Sequence, residues 1–414
     1  MPKETIKQNT QCRMCKGENL LQFLDLGTHP LANAFLSKED LLKSEPRYPL
    51  RVFFCTDCNL VQLVDVVSPE VMFRDYVYFS SAMPTLSKHF EDYVEEVYDR
   101  FIDSSDNFAV EIGSNDGILL RAMKAKGVRV LGIDPAENIA RVANERGIET
   151  LSEFFSEALA KRIVANRGNA DVVIGNNVVA HIDDHHDLVK GVKSLLGERG
   201  VFIFEAPYLL DMLENLSFDT IYHEHLSYLA LAPLTKLFGK FGMEIIDAKL
   251  FPVQGNSIRV YAARKGAYTV NSRIAELLKK EKEMRCDKIE TYHALAERIT
   301  ELKKEVVGVC RQLKKEEKTI AGYGAPAKGN TLLNYFGIGA ETLSSVTERL
   351  PSKIGLFTPG MHIPVRDLQE ARANPPDYYF MLAWNYKDSI LKDEKDFLSH
   401  GGKFIIPIGK ERII

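Results

Sequence analysis

Four cysteines near the start of the chain constrain its fold more than any other feature of the sequence. They form two C-x-x-C pairs, Cys12 with Cys15 and Cys55 with Cys58. A C-x-x-C turn directs two thiolates at one centre, so two such turns can supply a closed tetrahedral zinc site. Redox-active thiols or two disulfides are the alternatives, but disulfides are unusual in a reducing compartment and a redox motif needs only one pair. We predict one structural Zn²⁺ held by all four thiolates, with no open coordination position.

The composition excludes several classes of protein. The chain carries 53 Lys and Arg against 57 Asp and Glu, a net charge of −4. Proteins that coat nucleic acid or anionic membranes need a basic surface, so we expect neither as a partner. No apolar run reaches the length of about 18 residues that a transmembrane helix needs, and the polar first residues lack the apolar core of a secretion signal. Together with free thiols, these features predict a cytoplasmic protein.

A chain of 414 residues has room for two or three domains. We expect a zinc-binding module over residues 1–72, a central domain over 73–268 and a C-terminal unit over 269–414. The central part alternates apolar runs with amphipathic segments, which predicts a parallel sheet covered by helices on both faces. The predicted helices cover 84–105, 117–126 and the segment around 137–147, and the predicted strands cover 108–113, 128–134, 171–175 and 201–205. Two further runs, 243–251 and 258–264, predict an antiparallel hairpin at the sheet edge.

The C-terminal unit begins with a charged stretch over 271–318. Its apolar residues recur at spacings of three and four, which predicts a long amphipathic helix; they are Tyr292, Leu295, Ile299, Leu302, Val306, Val309 and Leu313. Such a helix could pair two copies of the chain, but we expect it to dock within its own chain and expect a monomer. Cys286 and Cys310 lie in this stretch and should be packing residues. A strand–loop–helix pattern over 319–337, with strand candidates at 378–384 and 403–409, predicts a second α/β unit.

A glycine-rich loop, V-E-I-G-S-N-D-G over residues 110–117, joins the first central strand to a helix. Glycines let the backbone approach a ligand there, and the helix N-terminus favours a negative group. The loop is not the G-x-G-x-x-G of dinucleotide folds, and Glu111 suits an ammonium better than a pyrophosphate. Asp134 ends the next strand, where a carboxylate can accept both hydroxyls of a ribose. This pair resembles the S-adenosylmethionine site of class I methyltransferases; the alternative is a plain tight turn with a surface Asp.

Further polar residues accompany this candidate cofactor site. The sequence N-N-V-V-A-H, residues 176–181, follows another strand and should reach the same edge of the sheet. The cofactor-binding residues that we predict are Glu111, Gly113, Asn115, Gly117, Asp134, Asn176 and Asn177.

Histidines and tyrosines cluster in the segment F-D-T-I-Y-H-E-H-L-S-Y, residues 218–228. The segment follows a strand that ends near Glu205, and ligands of open α/β sheets bind at the carboxyl ends of strands. A histidine can take a proton near neutral pH, and a tyrosine hydroxyl can donate to a developing enolate oxygen. We therefore expect catalytic groups here, with His181 reaching the same edge. The alternative is a solvated loop.

The run H-I-D-D-H-H-D, residues 181–187, could bind a metal, but it has no ligand spacing typical of one. We expect Asp183, Asp184 and Asp187 to flank or occupy the first turn of a helix, where carboxylates favour the helix dipole. His185 and His186 would then lie at the surface.

The order of these motifs, ending in G-Y-G-A-P-A-K-G-N over 322–330, resembles the sugar C-methyltransferases that act on nucleotide-linked ketodeoxysugars. The resemblance covers essentially the whole chain. It implies an α/β protein with an N-terminal zinc module, a class I methyltransferase Rossmann-like domain and a second, C-terminal Rossmann-like domain. It also implies S-adenosylmethionine as cofactor and methylation of the ring carbon next to the keto group of a nucleotide-linked ketodeoxysugar, expected to carry TDP.

The resemblance also implies roles for individual residues. His225 would be the general base that removes the ring proton, and Glu224 would hold it in position. Tyr222 and His181 would orient the sugar or stabilise the enolate, and Tyr76 would face the sugar. The substrate contacts implied are Lys328 near the diphosphate, Tyr323, Asn256, Arg259 and His223. Lys328 could instead be a solvated lysine after a structural turn.

Two departures from the family pattern lie near these contacts. The chain has G-N-S-I-R over 255–259 where the family often has G-G-S-L-R, and T-E-R-L-P over 347–351 where it often has D-x-N-P. They leave the nucleotide and the sugar open, but not the class of reaction.

Two rival functions fit parts of the pattern. A methyltransferase of another small metabolite or of nucleic acid would keep the cofactor site, although the acidic balance disfavours nucleic acid. A zinc-dependent scaffold with a dead methyltransferase domain would keep the cysteine pairs. The retained Glu111, Asp134 and Tyr/His cluster argue against the scaffold.

Overall fold

The N-terminal module consists of antiparallel strands around the two cysteine turns. The computed structural model describes residues 6–74, 79–82, 84–251 and 256–414. Strands β2, β3 and β4 form one antiparallel sheet, and β1 pairs with β5. Buried and half-buried residues alternate along β3, which is typical of a strand with one face on the core. The elements are β1 (Ile6–Gln8), β2 (Leu20–His29), β3 (Tyr48–Cys55), β4 (Val61–Leu63), β5 (Asp65–Val67) and α1 (Pro69–Phe73).

The central domain has a seven-stranded sheet in the order β12-β13-β10-β9-β6-β7-β8. Only β13 runs against its neighbours, so the predicted parallel sheet and edge hairpin are confirmed. The elements are α2 (Pro84–Phe101), β6 (Phe108–Ile112), α3 (Ile118–Ala125), β7 (Arg129–Ile133), α4 (Glu137–Glu145), β8 (Thr150–Leu151), α5 (Glu157–Arg167), β9 (Ala170–Ile174), α6 (His185–Leu195), β10 (Leu196–Pro207), α7 (Leu209–Asn215), β11 (Ser227–Tyr228), α8 (Leu231–Lys240), β12 (Met243–Phe251) and β13 (Ser257–Arg264).

The strand order of this sheet fixes where a ligand can bind. The chain runs outward from β6 through β7 to β8, then returns to place β9 on the other side of β6. Ligands of open α/β sheets bind beyond the carboxyl ends of the strands at such a reversal. Both the glycine loop after β6 and the segment 176–181 after β9 lie there.

One short strand joins the two modules in a way that the sequence did not predict. Strand β11 belongs to the N-terminal sheet, whose order is β11-β4-β3-β2. Ser227 pairs with Gln62 and Tyr228 with Val61. The Tyr/His segment is therefore hydrogen-bonded to the zinc-binding module.

The charged stretch over 271–318 folds as two helices, α9 (Arg273–Glu283) and α10 (Ile289–Lys315). Six of the seven predicted seam residues are buried and Val309 is half-buried. The ring of Tyr292 lies 5.1 Å from that of Phe23 and 4.9 Å from that of Phe54. The helix thus docks on its own N-terminal sheet, as expected, and Cys286 and Cys310 are buried packing residues. Within the described residues, no helix combines the length and the apolar character needed to cross a membrane.

The C-terminal unit has a five-stranded, all-parallel sheet in the order β16-β15-β14-β17-β18. This confirms the second α/β unit. Its elements are β14 (Ile320–Tyr323), α11 (Ala327–Phe336), β15 (Val346–Glu348), β16 (Val365–Asp367), α12 (Leu368–Ala373), β17 (Tyr378–Met381), α13 (Lys387–Asp393), α14 (Lys395–Ser399) and β18 (Lys403–Ile405).

Candidate active site and zinc site

The four predicted zinc ligands converge on one point. All four sulfur atoms lie within 4.8 Å of one another, with Cys12 Sγ 3.5 Å from Cys58 Sγ and Cys15 Sγ 3.6 Å from Cys55 Sγ. Tetrahedral zinc with Zn–S bonds of about 2.3 Å would separate its sulfurs by about 3.8 Å, so the arrangement fits this metal. Three of the cysteines are at most 1% exposed, which suits a closed structural site.

The two cysteine turns have the same backbone construction. The residue after the second cysteine is Lys16 in one turn and Asn59 in the other, and both have positive φ. The backbone N–H of each donates to the carbonyl of the first cysteine of its turn, at 2.9 and 2.8 Å. The thiols are therefore aimed by backbone geometry alone.

The glycine loop has the shape that a close ligand requires. Gly113 has φ 65° and an added Cβ would lie 2.3 Å from the Val178 side chain; Gly117 has φ 77° and a Cβ there would lie 3.0 Å from Ile148. Any other residue would be strained or would clash at both positions. The loop also positions Asn115, whose side-chain oxygen accepts the backbone N–H of Ser80 at 2.8 Å.

Buried polar atoms at this edge fit the predicted cofactor. Glu111 Oε2 and Asn176 Nδ2 have no hydrogen-bond partner among the described residues. Burial, followed by the carboxylates of Asp134 and Asp116, raises the pKa of Glu111 well above its usual value. Unsatisfied buried groups are costly, and a ligand ammonium would supply Glu111 with both a hydrogen bond and a compensating charge.

Asp134 lies at the end of β7, as predicted. Its carboxylate oxygens each accept one backbone N–H, from Asn115 at 2.9 Å and from Ala136 at 3.0 Å. Each oxygen keeps a second lone pair for a ligand hydroxyl. Asn177 has φ 54° and donates its backbone N–H to Glu205 O at 2.7 Å. The predicted cofactor residues therefore meet at one edge of the sheet.

His225 and Tyr222 form a half-buried hydrogen-bonded pair. His225 Nδ1 lies 2.7 Å from Thr220 O, so Nδ1 carries the proton and Nε2 carries the lone pair. The Tyr222 hydroxyl, 3.1 Å from Nε2, therefore donates to it. Burial lowers the pKa of His225 to about 4, so the ring is neutral at pH 7. The pair has the form of a base with a fixed tautomer.

His181 lies beside this pair. Its ring centroid is 5.1 Å from that of His225, and it stacks on Phe73 at 5.8 Å with 6° between the planes. Burial and then the neighbouring His225 lower its pKa well below the usual value. Its Nε2 has no hydrogen-bond partner among the described residues. His181 and Asn176 lie on one short segment, which brings the histidine cluster next to the cofactor edge.

The two residues between Tyr222 and His225 point elsewhere. Glu224 is buried and accepts a hydrogen bond from Asn33 Nδ2 at 2.6 Å, while the charge of Lys353 acts on it. His223 is buried against Tyr48, with its Nε2 3.2 Å from Tyr48 O. Thr220 and Tyr222 engage both ring nitrogens of His225. The predicted role of Glu224 in holding His225 therefore stays a prediction.

Arg259 and Asn256 are engaged by the protein itself. The Arg259 guanidinium, 1% exposed, bonds Glu205 and Glu96 and lies 3.7 Å from the centre of the Tyr93 ring. Asn256 Nδ2 donates to the Asp211 carboxylate at 2.7 Å. Neither donor group is directed at the cofactor edge by these contacts.

Lys328 and Tyr323, the two predicted substrate contacts of the C-terminal unit, differ in their surroundings. Lys328 Nζ lies 4.4 Å above the ring of Trp384, whose Nε1 donates to Asp219 Oδ2 at 2.7 Å. Lys328 thus lies next to the Tyr/His segment, 218–228. Tyr323 is buried in the C-terminal core and donates to Glu394 at 2.6 Å.

Some outcomes were not anticipated from the sequence. His185 is wholly buried rather than at the surface, because its Nε2 bonds Val179 O at 3.0 Å under the start of α6. His186 is half-buried, with its Nε2 2.6 Å from Met14 O. Asp184 caps α6, as expected.

The sequence did not predict Thr220 and Lys353 as residues of the site. Lys353 stands in a K-x-G pattern that could have pointed to it. Tyr76 lies outside the described residues.

Comparisons with known families agree with this geometry. A zinc binding domain matches residues 12–73, a methyltransferase domain matches 87–248, and a C-methyltransferase C-terminal domain matches 252–409. The sheet order, the cofactor edge and these matches define the class of protein, an S-adenosylmethionine-dependent methyltransferase of the class I fold with an N-terminal zinc-binding module.

A full-length relative narrows this class. The C-methyltransferase NovU of Streptomyces niveus is 37% identical over 412 residues, which cover 99% of this chain and 98% of NovU. The chain belongs to this C-methyltransferase family, which confirms the family expected from the motifs.

More distant matches cover only part of the chain. The ubiquinone biosynthesis O-methyltransferase of Cupriavidus pinatubonensis is 25% identical over 160 residues, 34% of this chain and 61% of that protein. A solved magnesium protoporphyrin IX methyltransferase from Synechocystis PCC 6803 covers 44% of this chain and 84% of its own, with 17% identity and a TM-score of 0.34. That structural likeness carries no weight in the assignment.

Proposed function

We propose that this C-methyltransferase acts on a nucleotide-linked ketodeoxysugar, carrying TDP, and methylates the ring carbon next to the keto group. The observation that carries the proposal is the half-buried, hydrogen-bonded His225–Tyr222 pair beside His181 and the cofactor edge. Forming an enolate requires one group that takes a proton from carbon and another that donates to the nearby oxygen. The resemblance of the motifs to sugar C-methyltransferases supports the choice of substrate.

Proton abstraction falls to His225. The keto group acidifies the neighbouring C–H, and Nε2 has the lone pair that receives the proton because Thr220 O holds the proton on Nδ1. The imidazolium that forms keeps the Nδ1–H bond to the carbonyl. Burial keeps the ring neutral before substrate binds, so no prior deprotonation step is needed.

Enolate stabilisation falls to Tyr222 and His181. When substrate binds, the Tyr222 hydroxyl would turn from Nε2 to the keto oxygen, which frees the Nε2 lone pair for the ring proton and supplies a donor to the enolate oxygen as it forms. His181 has a buried Nε2 without a partner among the described residues, which a substrate polar group would satisfy. Preorganised groups of this kind act strongly in a buried site, because they need no reorganisation during the reaction.

The cofactor residues would hold the methyl donor beside the catalytic histidines. S-adenosylmethionine, when bound, supplies a methyl group on an electrophilic sulfonium. Glu111 and Asn176 would bind its amino-acid part and Asp134 its ribose. The chain contributes orientation, since the segment 176–181 carries both a cofactor residue and His181.

The nucleotide end of the substrate is assigned to the N-terminus of α11. Lys328 lies in the first turn of this helix, where backbone N–H groups also favour an anion such as a diphosphate. Its contact with Trp384, which bonds Asp219, places the ammonium next to the catalytic segment. We leave Tyr323, Arg259, Asn256 and His223 out of the proposed contacts, because protein groups engage them.

Mass spectrometry of candidate substrates tests the proposed function. A panel of TDP- and GDP-linked 4-ketosugars is incubated with S-adenosylmethionine and the protein in deuterated water. We expect one TDP-linked sugar to gain a single methyl group and the adjacent ring proton to exchange with solvent. The absence of both methylation and exchange on every sugar, with folded protein that binds the cofactor, would contradict the proposal. Samples without protein control for spontaneous exchange.

A further inference from the structure

We propose that Arg13, which lies between the first two cysteines, is a positioning residue. Its side chain links the zinc-binding turn to the two catalytic segments, 218–228 with His225 and 176–183 with His181. The inference rests on the proposed function, because that function names His225 and His181 as the groups to be positioned. The guanidinium is 1% exposed although it stands in a turn at the rim of its module. A buried cation of this kind needs partners for its donors, and those partners lie on the catalytic segments.

The first arm of Arg13 reaches the main chain beside the general base. Its Nη1 donates to Leu226 O at 2.6 Å and to Gln62 Oε1 at 3.1 Å. Leu226 directly follows His225, and its carbonyl also accepts the backbone N–H of Leu63 at 3.0 Å. Two donors from the zinc-binding module therefore fix the backbone next to His225.

The second arm reaches the segment that carries His181. Arg13 Nη2 and Nε lie 3.2 and 3.4 Å from Asp183 Oδ1. Asp183 is two residues beyond His181, and it also binds Lys7 at 2.5 Å and Asn9 at 2.7 Å. The planar guanidinium has five donors in a fixed fork, so a single side chain can span both segments, which a lysine ammonium does less well.

The zinc-binding turn does not need the Arg13 side chain for its own construction. Its thiols are aimed by backbone bonds, including the one from Lys16 N–H to Cys12 O. The backbone N–H of Arg13, which donates to Gln62 Oε1 at 3.2 Å, is also independent of the side chain. Removing the guanidinium should therefore leave the metal site intact and release only the two catalytic segments.

The test compares Arg13→Met with a control from the same module, Arg51→Met. Arg51 makes a bidentate ion pair with Asp65 at 2.8 and 2.6 Å, and both residues belong to the strands of the zinc-binding module. For Arg13→Met we expect kcat to fall about 10²-fold, the size of effect that a misplacement of about 1 Å can produce. We expect the KM for S-adenosylmethionine and one zinc per chain to be kept. For Arg51→Met we expect kcat within about threefold of the parent protein, because Arg51 and Asp65 share no partner with His225 or His181 among the described residues and such sites couple weakly.

Two further measurements separate positioning from general loss of structure. Histidine ¹⁵N NMR should show His225 as the Nδ1–H tautomer in the parent protein and as a mixture of tautomers in Arg13→Met. Arg13→Lys keeps the charge and one arm, so its kcat should lie between those of the parent and Arg13→Met. If Arg13→Met does not fold, Arg13→Lys is assayed with the same readouts, and a lowered kcat with unchanged zinc and KM supports the inference.

Other outcomes overturn the inference. The inference is wrong if the kcat of Arg13→Met equals that of the parent protein, or if the kcat of Arg13→Lys does so when only that variant folds. It is also wrong if Arg51→Met loses as much kcat as Arg13→Met. Either result would leave the proposed function standing. The proposed function has its own test, which does not depend on the result for Arg13→Met. It is wrong if His225→Asn retains normal turnover.

Discussion

At the scale of the residue, one hydrogen bond decides what His225 can do. The carbonyl of Thr220 only accepts, so it selects the tautomer that leaves the lone pair on Nε2. Burial then keeps the ring neutral at pH 7. A histidine with these properties can take a proton without losing one first, and the fixed tautomer directs its lone pair to one side of the ring.

The pH dependence of turnover follows from this environment. In the proposed mechanism the neutral form of His225 is the base, and burial lowers its pKa to about 4, so activity should be lost as the pH falls through that value. We expect kcat/KM for the sugar to stay level from neutral pH down to about pH 5 and to decline below it with a midpoint near the lowered pKa. Circular dichroism at each pH controls for unfolding. A midpoint close to the ordinary histidine value of about 6.5 would show that His225 is solvated.

Residues within one motif were predictable and residues with distant partners were not. Tyr222, His225 and His181 meet because each follows the carboxyl end of a neighbouring strand, which sequence order reveals. Arg259 instead finds Glu96 on α2, and Tyr323 finds Glu394 beyond α13. Such partners depend on packing between separate elements, so the motif alone could not show that these groups are engaged.

At the scale of the element, strand alternation carried most of the fold. The helices and strands of the central sheet were predictable because each has its own period of apolar residues. Strand β11 has two residues and no such period, and its pairing with β4 joins positions far apart in sequence. That pairing is what connects the catalytic segment to the cysteine turns, and long-range pairing of this kind is set by tertiary structure.

Loss of one zinc ligand should therefore weaken the element that holds the catalytic segment. We expect Cys15→Ser to lose its zinc and to lower the free energy of unfolding by several kcal/mol, since a structural zinc contributes its binding energy to folding. Zinc per chain and thermal unfolding measure the effect. The control is Cys310→Ser on α10, a buried thiol whose pKa is raised to about 12 by burial, which should keep its zinc. Full zinc content and unchanged unfolding in Cys15→Ser would contradict the assignment of the site.

At the scale of the whole molecule, the three parts share one apolar core. A continuous cluster of buried residues includes Leu50 of the zinc-binding module, Phe204 of the central sheet and Leu332 of α11. The catalytic segment 218–228 lies where they meet, bonded to β4 on one side and to Trp384 on the other. In the proposed mechanism the central domain therefore performs the chemistry, while the two flanking parts set the position of its groups.

The most direct test of this account follows exchange of the substrate's ring proton with His225 present and absent. The sugar identified by the panel is held in deuterated water with protein and S-adenosylhomocysteine, and deuterium at the carbon next to the keto group is measured. His29→Gln is the matched control, because His29 on β2 is also a histidine whose pKa is lowered by burial and that bonds a backbone carbonyl, Leu26 O at 2.7 Å, but it lies outside both 176–183 and 218–228. We predict rapid exchange in the parent and in His29→Gln, and a loss of about 10²-fold or more in His225→Asn with cofactor binding unchanged, the scale of general base catalysis. Exchange at the parent rate in His225→Asn would contradict the account.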